Sequence, residues 1–226
     1  MSMLMENIQK ASFDCEPEAI PTVHDSRIYR LIKRGMDIVF SLVGLIIFSP
    51  LMALVALVIR VTSPGPVIFK QVRAGMCGKR FVMYKFRTMH DGAENDRDAL
   101  AKLNELEGPV FKIASDPRLT SIGRFLRRSS IDELPQLVNC LFGQMSLVGP
   151  RPLWINEALQ ASGQERYRMS VKPGLTCLWQ VSGRSELGYD KWVALDLYYI
   201  RNRSLLLDIM ILFQTLPAVL SARGAY

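Results

Sequence analysis

The chain has 226 residues, 49% of them hydrophobic and 22% charged, a balance that excludes wholesale disorder and provides for one sizeable core. Its formal charge is +7, and Glu6, Asp14, Glu16, Glu18 and Asp25 outweigh Lys10 and Arg27 in the first 28 residues, so the basic excess lies in the remainder. Such a body seeks an anionic partner: nucleic acid, a membrane surface or phosphorylated ligands. Two histidines and the widely separated Cys15, Cys77, Cys140 and Cys177 exclude a His-rich metal cage and a short-spaced zinc or redox motif. The cysteines read as reduced thiols.

Residues 1–28 are polar, acidic and unpatterned, and read as a mobile tail. Residues 29–62 read as a membrane segment, because Ile38 to Ile59 runs 22 residues without a charge. A straight helix of that length measures ~33 Å, near the hydrocarbon thickness of a bilayer. The acidic tail and the lack of a small-residue cleavage site argue against a signal peptide. Ser49-Pro50 falls near the middle, where proline removes a backbone donor and bends a helix. Lys33 and Arg34 precede the run, and Arg60, Lys70, Arg73, Lys79 and Arg80 follow it. Basic residues favour the cytoplasmic side, so two basic flanks predict a re-entrant hairpin over a crossing helix. The Ser49 hydroxyl is available to satisfy backbone freed at the break.

Residues 63–226 read as one cytosolic catalytic domain, and the whole as an α+β fold: helix-rich, with a small β-hairpin and an N-terminal Ser-Pro-broken re-entrant membrane helix. Thr62 to Pro66 is a turn cluster. Val67–Arg73 and Arg80–Arg87, separated by Gly75 and Gly78, predict the hairpin. Asp91 to Glu107 predicts a solvated surface helix or lid. Short helices are expected at Ile122–Arg128, Asp132–Phe142 and 153–169, with strand and turn signals over Val171–Arg184. Longer helices are expected at Leu187–Arg203 and Leu205–Leu220.

The densest chemical signal is Arg127-Arg-Ser-Ser-Ile-Asp-Glu-Leu-Pro-Gln136. Ser130 and Glu133 have capping-box spacing, and Asp132 is the alternative cap; either places Asp132 and Glu133 at a helix N-terminus. The dipole there favours ionised carboxylates and attracts phosphate. An ionised Asp among phosphate-binding cations is equipped to attack phosphorus, and an adjacent Glu to hold magnesium against a diphosphate. Lys85, Arg87, Arg118, Arg124, Arg127, Arg128 and Arg151 supply the cations. Gly149-Pro-Arg-Pro152 is a rigid turn suited to aiming one guanidinium.

Five motifs stand in order: Tyr84-Lys-Phe-Arg-Thr-Met89, Asp116-Pro-Arg-Leu-Thr120, Ser130-Ile-Asp-Glu-Leu-Pro-Gln136, Met145-Ser-Leu-Val-Gly-Pro-Arg-Pro152 and Lys172-Pro-Gly-Leu-Thr176. Together they resemble the bacterial sugar transferase family, the monotopic phosphoglycosyl transferases, from about Lys33 to Tyr226. The resemblance implies transfer of a sugar-1-phosphate from a UDP-sugar to undecaprenyl (polyprenyl) phosphate with release of UMP, initiating lipid-linked assembly of exopolysaccharide, capsule or O-antigen. It implies Asp132 as nucleophile, forming a phosphosugar-aspartate intermediate, and Glu133 as a Mg2+ ligand. Lys85, Arg87, Arg127 and Arg151 are implied as phosphate contacts, and Gln180 and Arg184 as contacts of the nucleotide sugar. It also implies a re-entrant helix broken at Ser49 and Pro50, in the bacterial inner membrane with the catalytic domain on the cytoplasmic face. Glucose or galactose is the sugar expected. Position 177 is Cys where many relatives carry Gly. The expected partners are UDP-sugar, polyprenyl phosphate and membrane lipid, with no nucleic acid, and a homodimer is left open. The rival reading is a non-catalytic basic scaffold that binds anionic lipid.

Overall fold

The computed structural model describes residues 26–96, 99–100, 103–104, 113, 115–184, 187–221 and 224. Most of the tail, and much of the expected 91–107 helix, lie outside them. The first element is one long helix, α1 (Arg27–Thr62), which starts two residues before the expected boundary. Ser26 caps it by accepting the Tyr29 N–H at 3.1 Å.

The break expected at Ser49-Pro50 does not interrupt the helix: Pro50 is carried inside one continuous element. Pro50 has no N–H to offer the carbonyl of Ile46, one turn back. The Ser49 hydroxyl donates to that same carbonyl at 2.8 Å, so the apolar stretch carries no orphaned acceptor there. The helix is long and apolar enough to cross a membrane.

Both ends of α1 are bound to one domain. At the N-terminal end, Lys33 Nζ lies 2.9 Å from Asp208 and the Tyr29 hydroxyl donates to the same carboxylate at 3.0 Å. Arg34 donates to the carbonyls of Cys140 and Leu141, both at 2.7 Å. Asp37 accepts from the Ser146 hydroxyl and the Leu147 N–H, both at 2.9 Å. At the C-terminal end the attachment is apolar: Val55 and Ile59 pack with Phe86 and Leu126. Between them Ile46 and Ile47 remain 65% and 64% exposed.

The expected hairpin forms from β1 (Ile68–Ala74) and β2 (Arg80–Phe86), with Ile68 opposite Phe86. Two helices follow, α2 (Ser121–Arg128), capped by Thr120, and α3 (Gln136–Leu141). β3 (Ser146–Val148) pairs in parallel with β5 (Gly174–Thr176), while β4 (Leu153–Trp154) adds to the edge of β1. Residues 153–169, expected as one helix, split into α4 (Ile155–Gln160) and a 3₁₀ segment Gly163–Met169. α5 (Leu178–Val181), α6 (Tyr189–Asn202) and α7 (Leu205–Ser221) complete the chain. The main core joins Phe81 and Met83 of β2, Leu137 and Cys140 of α3, Leu147 and Val148 of β3, Tyr199 and Ile200 of α6, and Ile211 of α7.

The parallel pair fixes the Gly149-Pro-Arg-Pro152 turn. Gly174 N–H donates to the Pro150 carbonyl at 2.8 Å and Gly149 N–H to the Thr176 carbonyl at 3.1 Å. The two backbones approach so closely that a Cβ on Gly174 would lie 2.1 Å from the Gly149 nitrogen. Glycine is required there by space, and the result is a turn with little freedom to move Arg151.

Candidate active site

Asp132 and Glu133 do not open an α-helix. Ser130 adopts a left-handed conformation (φ 56°) without capping, Ile131–Glu133 form a 3₁₀ turn, and α3 begins only after Pro135. The expected capping box fails because the Glu133 side chain is held elsewhere. Its Oε1 lies 2.8 Å from Lys85 Nζ and 3.5 Å from Arg151 Nη1, and its Oε2 accepts from the Gln180 amide at 3.2 Å. Lys85 comes from β2, Arg151 from the turn after β3 and Gln180 from α5, so three elements meet on one carboxylate.

Asp132 is treated differently. It is buried, yet no described residue donates a hydrogen bond to its carboxylate. It faces a cavity of about 890 Å³ that Lys85, Arg127, Ser130, Glu133, Arg151, Gln180 and Arg184 also line. Burial pushes its pKa up to about 6, with Lys85 pulling the other way and the Glu133 charge adding to the rise. For Glu133, burial also works against ionisation, but Lys85 and then Arg151 overcome it and hold the carboxyl down at about 2. The dipole argument thus loses to desolvation at Asp132, while direct pairing wins at Glu133. Burial lowers the Lys85 pKa, opposed by Glu133.

Each expected cation has a definite place. Arg151 stands 5.7 Å above the Trp179 ring, which limits its swing. Arg127 is oriented by the Thr88 hydroxyl, which accepts from its Nε at 3.0 Å. Arg184, itself left-handed at φ 53°, donates to the Ser130 hydroxyl at 3.2 Å, so two strained non-glycine residues meet beside the dyad. Arg87 lines the cavity, but its terminal nitrogens donate to the carbonyls of Ser63, at 2.7 Å, and Pro64. It clamps the exit of α1, a partner the sequence did not suggest. Arg118 forms a two-pronged pair with Asp116, at 2.8 and 2.6 Å. Arg124 and Arg128 are exposed and stand outside the cavity lining.

Sequence reasoning missed Thr88 and Ser130, Trp154 and Glu157 of the α4 start, and Trp192 of α6, all of which line the cavity. Thr88 and Ser130 stand in motifs dominated by charged neighbours; the others have no local signature.

No group of three or more Asp, Glu, His or Cys suited to a metal occurs among the described residues. The carboxylates present suit an ion shared with a substrate. Magnesium takes one or two carboxylates and fills its remaining positions with phosphate oxygens and water. Glu133 Oε2, which meets a neutral amide rather than a cation, is the oxygen suited to it.

The bacterial sugar transferase family profile matches residues 28–222. An undecaprenyl-phosphate galactose phosphotransferase of Salmonella typhimurium is 45% identical over 88% of this chain and 43% of its own length. A UDP-glucose:undecaprenyl-phosphate glucose-1-phosphate transferase of Escherichia coli is 40% identical over 89% of this chain and 43% of its own. An exopolysaccharide production protein ExoY of Sinorhizobium fredii is 39% identical over 86% of this chain and 88% of its own. The chain thus spans less than half of the first two relatives and most of the third. A profile match over nearly all of the described fold, with the Asp132–Glu133 pair and its cations inside it, establishes that the chain belongs to the bacterial sugar transferase family.

Proposed function

We propose that the chain transfers a sugar-1-phosphate from a UDP-sugar to undecaprenyl (polyprenyl) phosphate and releases UMP, as the first membrane step in building a surface polysaccharide. The observation that carries this reading is the division of labour in the dyad. Glu133 is tied down by three donors, while the buried Asp132 carboxylate beside it has no hydrogen-bond donor among the described residues and faces the cavity. A carboxylate held by no protein hydrogen bond and open to the cavity is free to attack what binds there.

The reaction balances in two displacements. An Asp132 Oδ attacks the phosphorus that bears the sugar, the bond from that phosphorus to the bridging oxygen breaks, and UMP departs. The aspartyl phosphate so formed carries the sugar. An oxygen of the lipid phosphate then attacks the same phosphorus, the bond to Asp132 breaks, and the product is a polyprenyl diphosphate sugar. Lys85, Arg127, Arg151 and Arg184 face the negative charge that shifts during both steps. Magnesium, held by Glu133 together with the substrate, supplies further charge neutralisation when bound.

The two ends of α1 support a re-entrant membrane element. A helix crossing a bilayer separates its ends by the membrane thickness, whereas both ends here dock on the same domain. With basic residues on both flanks, that domain belongs on the cytoplasmic face. Cysteines introduced at Arg30 and at Val61 are expected to react with an impermeant thiol reagent from the same side of sealed vesicles. Labelling from opposite sides makes α1 a true span. The activity itself is tested by supplying purified protein with polyprenyl phosphate, magnesium and a panel of UDP-sugars and measuring UMP. Release with UDP-glucose or UDP-galactose is expected; no release with any donor contradicts the proposal.

A further inference from the structure

We propose that Glu157 recognises a hydroxyl pair of the sugar nucleotide and so helps set which donor the enzyme accepts. The inference rests on the proposed reaction and extends it to a residue outside every motif.

Glu157 sits in the first turn of α4, is 7% exposed and lines the active-site cavity. One oxygen, Oε2, accepts the Trp154 N–H at 3.0 Å, which fixes the direction of the carboxylate. No described residue donates a hydrogen bond or forms an ion pair with the other oxygen, Oε1. A carboxylate oxygen in a cavity wall that meets no protein donor is available to accept hydrogen bonds from what occupies the cavity. The cavity is where a ligand arrives.

The surroundings specify its chemistry. Glu133 pairs with Arg151, Arg151 covers Trp179, and Trp179 stacks on Trp192 at 4.6 Å; Trp154 and Glu157 line the same cavity. Arg73 lies 4.4 Å from the Trp154 ring and Arg168 4.9 Å from that of Trp192, so these indoles are faced by cations and Glu157 is an acidic group set beside them. A diphosphate belongs with the cations and is repelled by Glu157. The neutral, hydroxyl-rich parts of a sugar nucleotide meet the requirement instead. Their vicinal hydroxyls donate to a carboxylate. Two parts of the donor carry such hydroxyls, the transferred hexose and the ribose of the nucleoside, and the experiment separates them.

The test compares wild type with Glu157→Gln in the full chain, reading both UMP release and equilibrium binding of the donor. Gln retains an oxygen for the Trp154 N–H, so the start of α4 is preserved, and thermal melting checks this. Should the Gln variant melt early, Glu157→Asp, which withdraws the charge by one methylene, gives the same comparison. Two sets of analogues are used: UDP-hexoses lacking single hydroxyls, and a UDP-hexose built on 2′-deoxyuridine. Wild type is expected to penalise one set by roughly tenfold or more, because a site built to accept a hydroxyl rejects the analogue without it. In Glu157→Gln that penalty shrinks towards unity, while kcat/KM for polyprenyl phosphate, which reports only the second displacement, is unchanged. Loss of the penalty in the hexose set assigns Glu157 to the sugar, and loss in the deoxyuridine set assigns it to the ribose. Full penalties in the variant for both sets, or none in wild type, overturn the proposal. Failure of the proposed reaction looks different: wild type then releases no UMP from any donor, and the binding ratios alone decide the role of Glu157.

Discussion

Asp132→Asn is expected to abolish UMP release, by about 10⁴-fold or more, and to leave the protein at least as stable as wild type at pH 8. The first half follows from removing the attacking oxygen, for which no neighbouring side chain substitutes. The second follows from linkage. The folded pKa of Asp132, about 6, lies above its unfolded value. The group therefore favours the fold below the unfolded pKa, and that contribution is lost as pH rises through 6. Above that pH the folded chain holds an ionised carboxylate against a desolvation penalty, which Asn does not incur. Melting temperatures across pH 5–8 check this, the variant gaining on wild type as pH rises. An Asn variant that turns over normally removes Asp132 from the mechanism.

Glu133→Ala is expected to reduce kcat/KM by about 10²–10³-fold and also to lower the melting temperature, the opposite stability effect from its neighbour. Glu133 is the common partner of Lys85, Arg151 and Gln180. Its pKa is depressed to about 2, so its contribution to stability is present above the unfolded pKa and is lost only as pH falls towards 2. Removing it takes the hydrogen-bonded counter-ion from Lys85 and leaves only Asp132, among the described carboxylates, near it in a site that is 13–16% exposed. The cost is about 2–3 kcal/mol, below the fully buried range. For a chain of this size that corresponds to a fall of roughly 5–10 °C. The activity loss comes from cations that no longer converge on the developing charge. A variant as stable as wild type would show that Glu133 is not what organises those donors.

Which features were legible in the sequence follows from where the determining interactions lie. The long apolar helix and the β1–β2 hairpin are written in local composition, and both are found. The Ser49–Pro50 pair could be read because a side chain and the carbonyl it satisfies are neighbours in one turn. The capping box expected at Ser130 does not form because tertiary partners from β2, the β3 turn and α5 take the Glu133 side chain. β3 and β5 are three-residue parallel strands with no alternation to detect, yet they hold the turn that presents Arg151. Arg87 was legible as a cation but not as a clamp on α1, since its acceptors are backbone carbonyls more than twenty positions away. Glu157 matches no motif, and only the fold places it in the wall of the cavity.

The central claim is a bond between Asp132 and the phosphorus of the donor, and intact mass measurement tests it most directly. Protein incubated with UDP-sugar but no lipid acceptor is expected to gain the mass of one sugar phosphate and release an equivalent of UMP. Peptide mapping is expected to assign the adduct to Asp132, and adding polyprenyl phosphate to discharge it. Steady turnover with no adduct, or with an adduct that maps to another residue, contradicts the account.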